Sequence, residues 1–147
     1  MSLVMTPSER EAFLAEARVA IISIPETDRG PFTVPVWYLY TPGGDVRVST
    51  GGTSRKAQLL QKSERISLCV QQPTRPYKYV SIEGPIVSIE PAQIERDLQP
   101  LAYRYLGPEA GARYLATRSS GLEDRDDILV RIRPERWLSE DYSKRGE

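Results

Sequence analysis

The sequence predicts a mainly β fold, an antiparallel barrel of about six strands with short helices at its ends. Runs rich in Val, Ile, Tyr and Trp are separated by short turn signals, the arrangement typical of adjacent antiparallel strands. The long run 77–90 carries its apolar side on even positions before Gly84-Pro85 and on odd positions after it. Such a change of parity indicates a bulge or sharp bend, as occurs where a sheet closes into a barrel. Strands are predicted at 19–24, 32–41, 46–50, 65–72, 77–90 and 128–133.

Helices are predicted from capping signals and from apolar spacing. Thr6, Pro7 and Glu9 together make a capping box with proline in the first helical turn. Further helices are expected at 54–62, 91–105 and 108–118, with Pro100 kinking or splitting the second of these and Gly107-Pro108 separating it from the third. Residues 119–127 are expected to form a charged loop, and 134–142 an irregular tail.

The composition bounds the function. The 147 residues suffice for one domain spanning 1–147, and 20 basic residues balance 20 acidic ones. This charge balance argues against a nucleic-acid partner and mildly favours self-association. No apolar run approaches a membrane span and the start is unlike a signal peptide, so the expected location is the cytoplasm. Without histidine, a Ser-His triad or a histidine general base is excluded. The single cysteine, Cys69, is expected to be a small core residue.

The segment 48–56 carries the clearest chemical signal. A strand containing Ser49 and Thr50 ends in two glycines, and a helix then begins with Ser54, Arg55 and Lys56. Backbone N–H groups and the helix dipole attract anions at such a turn, whereas basic side chains are disfavoured in a first helical turn. A bound anion would resolve that conflict. The alternative is a solvated, capped helix start, and the residue types alone leave the two evenly balanced.

Two aromatic segments and one acidic segment are weaker candidates. Pro35 interrupts a strand, which places it at a sheet edge or a bulge beside Val36 and Trp37, where a planar ring could bind. Ordinary aromatic packing is the alternative there. Tyr79 lies in a segment that interleaves cations with aromatics. The acidic run 123–127 lacks the spacing of a calcium loop, so we predict no metal site.

The order of these segments resembles the pyridoxamine 5'-phosphate oxidase-like family of split β-barrels, which bind FMN or the deazaflavin coenzyme F-420. The similarity covers roughly residues 8 to 142. It is carried by four segments in order: Pro35-Val36-Trp37, Ser49-Thr50 with Arg55-Lys56 and Leu59, Tyr79-Val80-x-Ile82-x-Gly84, and Arg133-Pro134-Glu135-Arg136-Trp137.

The resemblance implies a six-stranded split barrel, a homodimer, and cofactor sites at the subunit interface. It implies that Ser49, Thr50, Arg55 and Lys56, with Ser54 beside them, hold the cofactor phosphate. Backbone from Pro35 to Trp37, including Val36, is implied to line the ring, and Tyr79 to approach it, in one version from the second subunit. FMN and F-420 both present a phosphate and a tricyclic ring, so the resemblance leaves the choice between them open.

The expected function is hydride transfer between the bound cofactor and a small organic acceptor. Because the chemistry would reside on the ring, no catalytic side chain is assigned, and Trp37 and Tyr79 are expected to shape the substrate face. True pyridoxamine phosphate oxidation is not expected, since the chain lacks histidine and ends soon after Trp137. The alternatives are a non-enzymatic cofactor- or tetrapyrrole-binding protein and a structural dimer without ligand.

Overall fold

The computed structural model describes residues 2–122 and 126–146, and in them one continuous antiparallel sheet forms the body of the molecule. The strands are β1 (Ala20–Ile24), β2 (Phe32–Val36), β3 (Val46–Gly51), β4 (Arg65–Gln72), β5 (Lys78–Pro91), β6 (Asp127–Ile132) and β7 (Arg136–Asp141). Their order is β2-β1-β4-β5-β6-β3, with β7 pairing to β5 outside this path. The helices are α1 (Pro7–Ala15), α2 (Arg55–Lys62) and α3 (Gln99–Leu122), preceded by a π-helical turn at Ile94–Leu98 and followed, after β7, by a 3-10 turn at Tyr142–Arg145.

The curled sheet confirms the predicted split barrel. Its inner face supplies most of one apolar core, in which alternate residues of each strand are buried, among them Ile22, Val48, Leu68 and Ile82. The two ends of the strand order, β2 and β3, approach one another through a bridge between Leu39 and Arg47. The barrel is therefore closed by one short contact, and the opening beside it is available for a ligand.

The central strand β5 is bent, as predicted, but the extra residue lies beyond the predicted position. Ile86 pairs with Ile132 and Ser88 with Arg131, so Val87 is the bulged residue. Gly84 has a different role, because a Cβ built there would lie 1.7 Å from the carbonyl oxygen of Arg133. Only glycine permits that approach, which lets β5 pair with β4 and β7 at its start and with β6 at its end.

Three boundary predictions are wrong. The second strand ends at Val36, because the N–H of Tyr38 donates to the Tyr105 hydroxyl (3.1 Å) and not to a neighbouring strand. The predicted irregular tail contains β7, whose residues pair with β5 from Lys78 to Glu83. The predicted loop at 119–127 begins later, since α3 continues to Leu122.

The helices follow their sequence signals. Both hydrogen bonds of the predicted capping box at Thr6 are present. At Pro100, which was predicted to kink or split its helix, the helical run changes from the π-helical turn Ile94–Leu98 to α3, so that Pro100 lies in the first turn of α3, where a missing N–H costs little. The break comes at Gly107, whose φ is 82°, as the Gly107-Pro108 signal predicted. Within the described ranges, no helix is long and apolar enough to cross a membrane.

Candidate functional site

A cavity of about 330 Å³ lies at the open side of the barrel. One wall comes from the ends of β2 and β3, and the opposite wall comes from the start of α3. The N-terminal turn of α2 adjoins the first wall. The lining residues are Val19, Pro35, Val36, Trp37, Ser49, Thr50, Lys56, Leu98, Leu101, Ala102, Tyr114 and Asp127. Six of the nine residues predicted for the site therefore meet at one cavity, although they come from three separate elements.

The turn between β3 and α2 supplies polar groups to the cavity wall. Ser54 caps α2 by accepting a hydrogen bond from the N–H of Ala57 (3.1 Å), and its hydroxyl lies 3.2 Å from that of Thr50. Ser49 and Thr50 line the cavity itself, whereas Ser54 supports the turn from behind. The turn thus presents hydroxyl groups beside the positive end of a helix dipole, which suits an anion.

Lys56 adds a cation to the polar groups of the cavity wall. The side chain is partly buried against the cavity, and burial lowers the pKa of its ammonium group below the ordinary value. With the part of the chain that the structure describes, Lys56 forms no ion pair. A desolvated ammonium group without a counterion is an unfavourable arrangement, and an anion in the cavity would relieve it.

Arg55 does not share this environment. Its guanidinium group is ion-paired with Glu26, half of its side chain is exposed, and it does not line the cavity. By residue type alone, Arg55 and Lys56 both conflict with the helix dipole. For Arg55 the protein resolves the conflict internally, so its predicted phosphate contact would have to compete with Glu26.

Gly52 holds the turn in place by close approach and not by unusual dihedral angles. A Cβ built on Gly52 would lie 2.1 Å from the carbonyl oxygen of Asp126, whereas one on Gly51 would meet nothing nearer than 3.8 Å. This contact seats the turn against the start of β6, where buried Asp127 pairs with Gly51 in the sheet register. The turn and the cavity wall are thereby fixed to one another.

Asp127 is a lining residue that the sequence reasoning missed. It belongs to the acidic run that was interpreted as a solvated loop, but its side chain is only 7% exposed and contributes a carboxyl group to the cavity wall. A carboxylate there repels a phosphate, so Lys56 and the helix terminus must outweigh it if a phosphate binds. Residues 123–125 of the acidic run lie outside the described residues. In the described part of the chain no cluster of metal-ligating side chains occurs.

The cavity also has aromatic and apolar lining residues. Pro35 lies on the edge strand β2, as the sequence predicted, and buried Val36 ends that strand. The indole ring of Trp37 stacks on the ring of Tyr105, with centroids 4.8 Å apart and planes 7° apart. The ring of Tyr114 also contacts this indole, with centroids 5.8 Å apart and an angle of 51° between the planes. No sequence pattern marks Tyr114 beyond its place in a predicted helix.

Tyr79 lies apart from this cavity within one chain. It is on β5, where its register neighbours are Gln71 and Glu140. Burial is the main cause that raises the pKa of its hydroxyl, and the nearby Glu140 adds to it. Its predicted approach to the ring therefore needs a second subunit and stays a prediction.

The family follows from the sequence itself. A sequence model described as pyridoxamine 5'-phosphate oxidase matches residues 6–140, nearly the whole chain. The chain belongs to this family. At the level of the pyridoxamine 5'-phosphate oxidase family, membership indicates a flavin-related oxidoreductase. No curated protein sequence matches the chain significantly.

Solved structures share the fold. A conserved hypothetical protein from Mycobacterium tuberculosis is 24% identical with a TM-score of 0.76, over 99% of this chain and 91% of the other. An F-420 reductase is 19% identical with a TM-score of 0.68, over 87% and 94% of the two chains. A FAD-binding protein from Mesorhizobium loti is 19% identical with a TM-score of 0.63, over 92% of each chain. At these identities the similarity shows the split barrel alone.

Proposed function

We propose that the chain binds FMN or the deazaflavin F-420 in this cavity and serves as an oxidoreductase toward a small organic acceptor. The observation that carries the proposal is the composition of the cavity lining. Ser49, Thr50 and Lys56, whose ammonium group forms no ion pair with the described residues, line the same cavity as Pro35, Val36 and Trp37. A flavin nucleotide has two parts that match this lining, a phosphate and a flat ring.

The cavity residues have separable tasks in this function. Lys56 and the two hydroxyl groups would hold the phosphate, while Trp37, Val36 and the α3 side chains would exclude water from the ring. The reduced cofactor supplies a hydride when bound, and the acceptor takes that hydride and one proton from solvent. Since the lining contains no histidine or cysteine, the protein contributes position and solvent exclusion.

A homodimer is part of the proposal. Register neighbours across five strands, Pro35, Ile21, Cys69, Ser81 and Leu138, form one row on the outer face of the sheet. Ile21 and Leu138 are 41% and 61% exposed, and the row begins at Pro35, a cavity residue. A second copy seated on this row would bury both apolar side chains and reach the open side of the cavity.

Sedimentation tests the dimer. We expect the wild-type chain to sediment as a dimer at micromolar concentration and the Leu138→Arg variant to dissociate. We also expect cofactor affinity to fall in the dissociated variant, since the partner copy would no longer cover the open side of the cavity. A wild-type monomer at that concentration would contradict this part of the proposal.

Titration of the purified protein with FMN and with F-420, followed by cofactor fluorescence, tests the site. Lys56→Ala is expected to weaken binding by about tenfold or more, since a charge-assisted hydrogen bond contributes about 1.5–3 kcal/mol. Lys62→Ala removes the same charge from the last turn of the same helix and is the matched control. Riboflavin, which lacks the phosphate, should bind the wild type and the Lys56→Ala variant equally.

Turnover separates the enzyme from a cofactor carrier. Reduced cofactor is mixed with protein and a quinone, an enone or a tetrapyrrole, and its oxidation is followed by absorbance. Acceptor-dependent oxidation faster than without protein supports an oxidoreductase. Tight binding without turnover favours the non-enzymatic alternative, and binding of neither cofactor refutes the proposal.

A further inference from the structure

Helix α3 consists of two halves that meet at Gly107, and they relate differently to the cavity. The first half is fastened to the barrel. Arg104 donates to the carbonyl oxygens of Ala15 and Glu16, both at 2.9 Å, and the Tyr105 hydroxyl donates to the carbonyl oxygen of Arg18 at 2.7 Å. These bonds hold the half-helix that forms one wall of the cavity.

The second half folds back onto the first through a close approach. A Cβ built on Gly111 would lie 2.6 Å from the ring of Tyr103 and 3.2 Å from the carbonyl group of Ala102. The two halves therefore pack with almost no space between them. Of the described side chains in this second half of α3, Tyr114 is the one that lines the cavity.

Tyr114 and Trp37, which both line the cavity, form an aromatic corner in its wall. The orientation of the Trp37 ring is fixed, because the ring stacks on Tyr105 and the hydroxyl of Tyr105 accepts from the N–H of Tyr38. Tyr114 closes the corner at 51° to the indole. Contacts between aromatic rings are more stabilising than their buried area alone would provide. A flat aromatic molecule is therefore the ligand that such a corner favours over a small non-aromatic one.

We infer that Tyr114 is a specificity-determining residue, which selects planar aromatic acceptors by stacking them in the corner with Trp37. The inference rests on the proposed function, because it assumes that the same cavity holds the cofactor. It goes further by assigning the acceptor to the aromatic corner and by naming the side chain that selects it. The acceptor in the corner would receive a hydride from the reduced cofactor and a proton from solvent.

The test uses Trp37 itself as the reporter. The chain has two tryptophans, so Trp137→Phe leaves Trp37 as the only one. In this background the protein, with and without bound cofactor, is titrated with menadione, a planar quinone, and the emission of Trp37 is followed. Tyr114→Ala and Tyr114→Leu are expected to weaken menadione binding at least fivefold, while Tyr114→Phe keeps it. Arg113→Ala alters the neighbouring exposed position on the same half-helix and should have no effect.

Kinetics supply the second readout. With menadione as acceptor, Tyr114→Leu is expected to raise KM at least fivefold with a smaller change in kcat. With cyclohexenone, a small non-aromatic acceptor, KM should be the same as in the wild type. Tyr114→Leu retains apolar volume, so it keeps the test usable if Tyr114→Ala unfolds.

Failure of the inference about Tyr114 can be distinguished from failure of the proposed cofactor-dependent function. Unchanged menadione binding in both ring-less variants overturns the inference, as does an equal loss for menadione and cyclohexenone. Loss of cofactor affinity in Tyr114→Leu also overturns it, because Tyr114 would then belong to the cofactor site. Failure of the wild-type protein to bind FMN or F-420 refutes the proposed function. In that case, the titration without cofactor still decides whether a planar molecule binds at Trp37.

Discussion

Replacing Gly84 by alanine tests how the bend in β5 is achieved. The added Cβ would lie 1.7 Å from the carbonyl oxygen of Arg133 and 3.3 Å from the backbone nitrogen of Glu135. Both neighbours are backbone atoms, so no side chain can rotate away. An ordinary contact requires the two segments to separate by roughly 1.5 Å. That separation strains the hydrogen bonds from Glu135 N–H to the Glu83 carbonyl and from Arg133 N–H to the Pro85 carbonyl, each 3.0 Å long.

The expected loss of stability follows from these contacts. Two weakened backbone hydrogen bonds cost about 1 kcal/mol each, and overpacking adds about 1–3 kcal/mol. We therefore expect Gly84→Ala to lower the free energy of unfolding by about 3–5 kcal/mol, measured by urea denaturation. Gly30→Ala is the matched control, because its Cβ would meet nothing within 4 Å, and it should change stability by less than about 0.5 kcal/mol. A Gly84→Ala variant as stable as the control would refute the reasoning.

Three further predictions concern the polar groups of the cavity. Cofactor affinity should fall as the pH rises toward 10.5, because burial lowers the pKa of Lys56 below that value and only the charged form holds the phosphate. Lys56→Arg should keep its affinity over the same rise in pH in a fluorescence titration. Gly52→Ala, whose Cβ would lie 2.1 Å from a backbone oxygen, should weaken cofactor binding by about tenfold or more, whereas Gly51→Ala, with 3.8 Å of space, should bind like the wild type in the same titration. Ser54→Ala removes the cap of α2 and should cost about 1 kcal/mol in thermal unfolding, and an unchanged melting temperature would contradict the capping role.

In the predicted phosphate-binding turn, residue types were sufficient to predict the local structure but not the partners of the basic side chains. The glycine-containing turn and the following helix were predictable, because capping residues and a strand-to-helix break are local signals. The separate roles of Arg55 and Lys56 were not predictable. They are adjacent in sequence, but Glu26, 29 residues before Arg55, neutralises Arg55 alone. Lys56 has no such ion pair with the residues that the structure describes.

The missed strand β7 has a similar explanation. Residues 136–141 have an exposed apolar residue, Leu138, and three charged ones, so they lack the alternation of a half-buried strand. Their strand conformation depends on hydrogen bonds to β5, which is more than 50 residues away in sequence. Strand propensity depends on context in this way, and a local pattern does not contain that context.

The sequence by itself determined the kind of fold, the family, and Ser49, Thr50 and Lys56 as polar residues of the site. Alternating strands, caps and the Gly-Gly turn are short-range features whose physical causes act within a few residues. Only the tertiary structure decided that Asp127 and Tyr114 belong to the cavity, that Tyr79 does not reach it in one chain, and that Arg55 is already paired. Those facts depend on which distant segments the curled sheet and the reversal of α3 at Gly107 bring together.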